Sequence, residues 1–124
     1  MELRFFVCRR CRNIIAYVQK SGVPVMCCGE PMKEIIPNTV DAAKEKHLPV
    51  YTVDGTTVRV QIGEFAHPMT EPHHIDWVVL QTKQGNQRKE LAVGTAPVVC
   101  FSICPDDEVE AVLAYCNLHG LWKA

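Results

Sequence analysis

Five side chains able to bind a transition metal fall in three short stretches: His47, then His67 with His73, then Cys116 with His119. Four of the chain's five histidines are in this set, and the fifth, His74, adjoins a member. Four imidazoles and one thiolate exceed the ligand number of a structural zinc site. They suit an iron that keeps one octahedral vertex for a small substrate. With neutral imidazoles and a single thiolate, ferrous iron leaves the site one net positive charge and ferric iron two, so the site favours a small anion. The thiolate pushes electron density onto the metal and toward whatever binds opposite it. The second nitrogen of each ring needs an acceptor to fix its tautomer.

A second set of donors lies near the start of the chain. Cys8-Arg9-Arg10-Cys11 and the adjacent pair Cys27-Cys28 have the makings of a tetrahedral thiolate site. Cys27 and Cys28 share one peptide bond, so a metal held by both should be distorted from a regular tetrahedron. Ligand identity alone leaves zinc and iron both open. Disulfides are the alternative, but seven cysteines cannot all pair internally, and cytosolic thiols are normally reduced. Arg9, Arg10 and Arg12 surround the site. Cys100 and Cys104 belong to neither set. On one strand they would lie about 13 Å apart, too far for a disulfide, and they are expected to be buried free thiols.

The elements that must carry these side chains separate into two units. Residues 1–37 are too few to bury a self-sufficient core without a staple, and four cysteines supply one; Ser21-Gly22-Val23-Pro24 is a turn within it. Pro37-Asn38-Thr39 opens a linker whose polar stretch runs to Lys46. Beyond it the pattern is β. Val50 to Val53 and Thr56 to Ile62 flank Asp54-Gly55, a type I′ hairpin signal. His74 to Thr82 reads as a central strand with Ile75, Trp77 and Val79 on one face. Gln87 to Val93, Val98 to Ile103 and Glu108 to Cys116 complete the set, the last through alternation at Val109, Ala111, Leu113 and Tyr115. The predicted second unit, 38–124, is therefore an antiparallel sandwich. Pro68 and Pro72 exclude a regular helix between His67 and His73, so a loop must present both rings.

Bulk properties narrow the partners. The net charge of −1 argues for neither nucleic acid nor membrane. No apolar run reads as a signal peptide or a transmembrane span, and the expected location is the cytoplasm. Charge is uneven: residues 1–37 hold six Lys/Arg against three Asp/Glu, and residues 38–124 hold seven against eleven.

The stretches Glu45-Lys46-His47, His67-Pro68-Met69, His73-His74-Ile75-Asp76-Trp77 and Tyr115-Cys116-Asn117-Leu118-His119-Gly120-Leu121-Trp122-Lys123 resemble superoxide reductases. With the N-terminal cysteines the whole chain resembles their two-iron form, desulfoferrodoxin. The resemblance implies an all-β fold: a small desulforedoxin-like domain with iron on Cys8, Cys11, Cys27 and Cys28, then an immunoglobulin-like antiparallel β-sandwich. The second iron would have His47, His67, His73 and His119 in its equatorial plane and Cys116 on its axis. The implied activity is one-electron reduction of superoxide to hydrogen peroxide, with re-reduction by an external donor such as rubredoxin and a homodimeric assembly. Lys46 would draw superoxide in and organise protons, and Glu45 would close on the vacant vertex. Dismutation, simple electron transfer and a structural zinc role are the competing readings. Two positions depart from the family: Arg12 stands where glycine is usual, and His74 where an aromatic is common. Arg12 would cost about 1–2 kcal/mol if its φ is positive. His74 is read as a non-ligand on the opposite strand face.

Overall fold

The structure, a computed structural model, describes residues 2–124. It falls into two compact units, Met1–Ile36 and Pro37–Ala124.

In the first unit, β1 (Phe5–Val7) runs between β2 (Ile14–Ala16) and, later in the chain, β5 (Lys33–Ile35), antiparallel to both. The hairpin of β3 (Met26–Cys27) and β4 (Glu30–Pro31) lies between β2 and β5 in sequence. The core is very small: Phe6, Cys8 and Met32 with Ile15, Tyr17 and Cys27 against them. Phe6 and Tyr17 meet edge to face at 4.9 Å, a favoured aromatic geometry. A ligand sulfur, Cys8, is thus part of the core itself.

The second unit begins with a single helical turn, α1 (Lys44–His47), and continues as seven strands: β6 (Pro49–Asp54), β7 (Thr57–Ile62), β8 (Ile75–Thr82), β9 (Gly85–Glu90), β10 (Val98–Ser102), β11 (Val109–Cys116) and β12 (Gly120–Lys123). They form a three-stranded sheet, β10-β7-β6, and a four-stranded sheet, β12-β11-β8-β9, every pairing antiparallel. Val58, Val60, Ile62 and Phe101 from the first sheet pack on Ile75, Val78, Leu80, Val112, Ala114 and Cys116 from the second. This is the expected sandwich of immunoglobulin type, with its alternating inner faces forming the core. Gln87 Nε2 and Lys89 Nζ of β9 donate to the carbonyls of Ser102 and Cys100, at 2.7 and 2.6 Å, tying the edge strands of the two sheets together.

Several expectations need correction: the strand expected over Gln87 to Val93 runs over Gly85–Glu90, and β12 lies beyond the last strand expected. The polar stretch before His47 is not all linker, because residues 44–47 make a helical turn. The β6–β7 loop is Gly55-Thr56, since Asp54 already pairs with Thr57. Only Gly55 of the two has positive φ, 59°, which is the type II′ pattern and not type I′. The face assigned to β8 is also wrong. Tyr115 pairs with Trp77 while Cys116 pairs with Ile75, so Asp76 is an extra residue that flips the alternation, and Ile75 joins Val78 and Leu80 in the core. Finally, Cys100 and Cys104 are exposed, not buried. Cys100 opposes Arg59 on the outer face of its sheet, next to inward-facing Phe101, and Cys104 lies beyond the end of β10.

Candidate metal centres

The first cluster is built on two tight turns. Cys8 to Asn13 closes on itself: the Cys8 N–H donates to Asn13 O and the Arg12 N–H to Cys8 O, both at 2.9 Å. The turn requires a left-handed residue, and Arg12 takes it, with φ 69°. The β3–β4 hairpin turns through Cys28 and Gly29, whose φ values of 51° and 80° are the type I′ combination. That turn lets adjacent cysteines aim at one point. The sulfurs of Cys8, Cys11, Cys27 and Cys28 all lie within 4.8 Å of one another. Cys11 Sγ and Cys27 Sγ are 3.6 Å apart, far beyond a disulfide bond. That distance is close to the ~3.8 Å edge of a tetrahedron with ~2.3 Å metal–sulfur bonds. The Cys11 N–H, 3.5 Å from the Cys8 sulfur, leads the causes that lower Cys8 to about 6. Cys28 is pushed up to about 12, first by hydrogen bonding with Cys11. Without a cation the cluster retains protons, and a metal has to displace them. Cys11 and Cys28 are exposed, while Cys8 is buried.

In the second unit, His47 comes from the end of α1, His67 and His73 from the loop between β7 and β8, Cys116 from the end of β11, and His119 from the turn into β12. The four rings form a square. Neighbours around it (His47–His67, His67–His73, His73–His119, His119–His47) stand 4.7, 4.6, 5.1 and 4.9 Å apart, each pair close to edge-on. The His47–His73 diagonal is 6.3 Å. His47 Nε2 and His119 Nδ1 are 3.0 Å apart, the separation of two nitrogens at right angles around a metal ~2.1 Å from each. The Cys116 sulfur is within 4.8 Å of the donor atoms of His47, His67 and His73, and 3.9 Å from His119 Nδ1.

Two features fit this donor set to a metal. His67 Nε2 and His73 Nε2 are buried with no hydrogen-bond partner, a costly state for a polar atom that a coordination bond would relieve. His47 Nδ1 and His67 Nδ1 each lie 2.7 Å from a carbonyl, of Ala43 and Pro68. A carbonyl only accepts, so both Nδ1 atoms carry the proton and both Nε2 lone pairs face the centre. Burial holds His67 down at about 4 and also lowers His47 and His73, keeping the rings in the neutral, ligating form. Burial pushes the Cys116 thiol up, while the backbone N–H groups of His119 and Leu118 pull it back.

His74 is turned away from this arrangement. Its Nδ1 faces Thr70 O at 2.9 Å and its Nε2 faces an Asp76 carboxylate oxygen at 2.8 Å. Burial lowers its pKa, but these two contacts outweigh burial and raise it. Glu45 and Lys46 are exposed on α1, and the Lys46 charge contributes to lowering both His47 and His73. The sequence reading did not reach the acceptors Ala43 O and Pro68 O, for which residue type carries no signal. Nor did it assign Trp122, which stacks on His47 at 4.9 Å and donates from Nε1 to His119 O at 3.2 Å.

Residues 39–124 match the family described as Desulfoferrodoxin. The chain is 41% identical to the desulfoferrodoxin of Nitratidesulfovibrio vulgaris over 123 residues, covering 99% of this chain and 96% of the other. It is 39% identical to that of Syntrophotalea carbinolica, with the same coverage. The crystal structure of the superoxide reductase from Treponema pallidum superposes with a TM-score of 0.84 at 44% identity, covering 100% of this chain and 99% of that one.

Proposed function

The chain belongs to the desulfoferrodoxin family, and we propose that it works as a superoxide reductase with two irons, one in each unit. The observation that carries this reading is the square of four imidazoles with one buried thiolate, and two orphaned ring nitrogens among them. Cys8, Cys11, Cys27 and Cys28 hold the first iron. His47, His67, His73, His119 and Cys116 hold the second, which supplies the electron that superoxide accepts. Superoxide, one electron and two protons give one hydrogen peroxide.

The chain's own residues provide the remainder. The carbonyls of Ala43 and Pro68 hold the lone pairs of His47 and His67 on the centre. Cys116, on the inner face of the sandwich, makes the site electron-rich from the core side and shields the sulfur from water. Lys46, exposed beside the ring of histidines, draws in the anion by its field and organises protons for the product. Glu45, its neighbour on α1, would offer a carboxylate to the iron after turnover. A rubredoxin-like protein returns the electron, and the chain acts as a homodimer in the cytoplasm. Seven unpaired cysteines support a reducing compartment. No helix among the described residues is long and apolar enough to cross a membrane.

Product stoichiometry tests the activity. Reduced protein mixed with superoxide should form one peroxide per superoxide consumed and evolve no oxygen. One peroxide per two superoxides, with oxygen released, would establish dismutation in its place.

A further inference from the structure

Strands β8 and β11 stop pairing regularly at Ile75 and Cys116, just past the extra residue Asp76. Beyond that point Asn117 takes over, and it does so with three hydrogen bonds. Its backbone N–H donates to His74 O at 3.1 Å. Its Oδ1 accepts from the His74 N–H at 2.9 Å. Its Nδ2 donates to Pro72 O at 3.0 Å. Pro72 O belongs to the peptide before His73, and the His74 N–H to the peptide after it. One carboxamide therefore grips both peptide planes attached to the His73 Cα and fixes the direction in which that ring leaves the backbone. The loop is braced internally as well, with the Thr70 hydroxyl donating to His73 O at 3.1 Å and the His73 N–H to Thr70 O at 3.2 Å.

We propose that Asn117 is a positioning residue for the second centre, which sets the placement of His73 against the Cys116 sulfur. Asn117 follows Cys116 directly and precedes His119 by two residues, so its grip on residues 72–74 joins ligands of two separate segments. His73 has a particular need for such a device. Its Nε2 is buried without a partner, and its ring comes from the loop between β7 and β8, directly after Pro72, not from a helix or strand. A small rotation about the His73 backbone would carry the nitrogen out of the square. Partners that orient metal ligands in this way are worth about 10- to 100-fold in metal affinity or activity.

The inference rests on iron occupying the second centre. The test uses the full iron-loaded chain and the variants Asn117→Ala and Asn117→Asp. The aspartate keeps an acceptor for the His74 N–H but sets a carboxylate oxygen against Pro72 O. Three quantities are read: the energy of the thiolate-to-iron absorption of the second centre, its midpoint potential, and the rate at which a chelator removes its iron. The four-cysteine centre of the same molecule is the internal reference. Both variants should shift the band and the potential of the second centre and speed its iron loss about ten-fold or more, with the first centre unchanged. A band and potential identical to the unsubstituted protein would overturn the proposal even if iron were lost faster, because that pattern reports stability alone. If Asn117→Ala does not fold, the near-isosteric Asn117→Asp decides alone. Absence of any such band in the unsubstituted protein would instead sink the two-iron reading.

Discussion

At the scale of single residues, the most informative position is Arg12, an arginine held at φ 69°. A Cβ in the left-handed region costs about 1–2 kcal/mol, so Arg12→Gly should stabilise the first unit by about 1 kcal/mol once the greater freedom of glycine in the unfolded chain is deducted. Slower metal loss to a chelator and a higher melting temperature for that unit would register the gain. The role proposed for Lys46 is of longer range. Lys46→Ala should slow superoxide consumption several-fold at low salt and flatten its dependence on ionic strength, because the exposed charge works through a field that salt screens; stopped-flow or pulse-radiolysis rates from ~10 to ~300 mM salt would resolve both effects. The nine proposed ligands were legible in sequence because cysteine and histidine announce their chemistry by type. Ala43 and Pro68 were not, because what they contribute is a carbonyl that every residue possesses, and only the backbone path decides where it points.

Elements were less legible than residues. The β pattern located six of the seven strands of the sandwich, helped by β7, β8, β10 and β11 each burying at least one face, but not the four-residue β12. It could not show the extra residue at Asp76, because Ile75, Trp77 and Val79 are all apolar and the flip leaves no mark in the composition. The turn α1 was missed for a related reason. Lys44-Glu45-Lys46-His47 has no apolar period and no side-chain cap, and it is held by its surroundings. The Phe65 N–H donates to Glu45 O at 3.0 Å and the Gly63 N–H to Leu48 O at 3.1 Å. Gly63 is the tightest of these contacts: at φ 86°, an added Cβ would come 2.4 Å from Phe65 O and 2.6 Å from Lys46 O. Both obstacles are backbone, so neither can step aside. Gly63→Ala should destabilise the second unit by about 2 kcal/mol or more and displace the element that delivers His47. Thermal unfolding together with the iron content of the second centre would detect the two effects separately.

Across the whole molecule, each unit carries a complete donor set of its own, four cysteines within Met1–Ile36 and four histidines with a cysteine within Pro37–Ala124. Cys11→Ser should therefore abolish the ferric four-cysteine absorption and leave the second centre's spectrum in place. Acid acts on the second unit in a direction that follows from its histidines. In the metal-free protein His67 has a folded pKa of about 4 against an ordinary 6.5, so the unfolded chain binds more protons between those values. Stability is complete above about pH 6.5, declines as the pH falls toward 4, and changes no further from this group below that. His47 and His73, lowered in the same direction, add to the loss; denaturant midpoints of the iron-free protein between pH 7 and 4 would trace it. The indole of Trp122 lies flat against His47, while Trp77, the only other tryptophan, lies against Tyr115. One of the chain's two indoles thus touches a proposed ligand directly, and its emission should dim as metal enters and brighten as metal leaves, a built-in optical gauge of occupancy that needs no label.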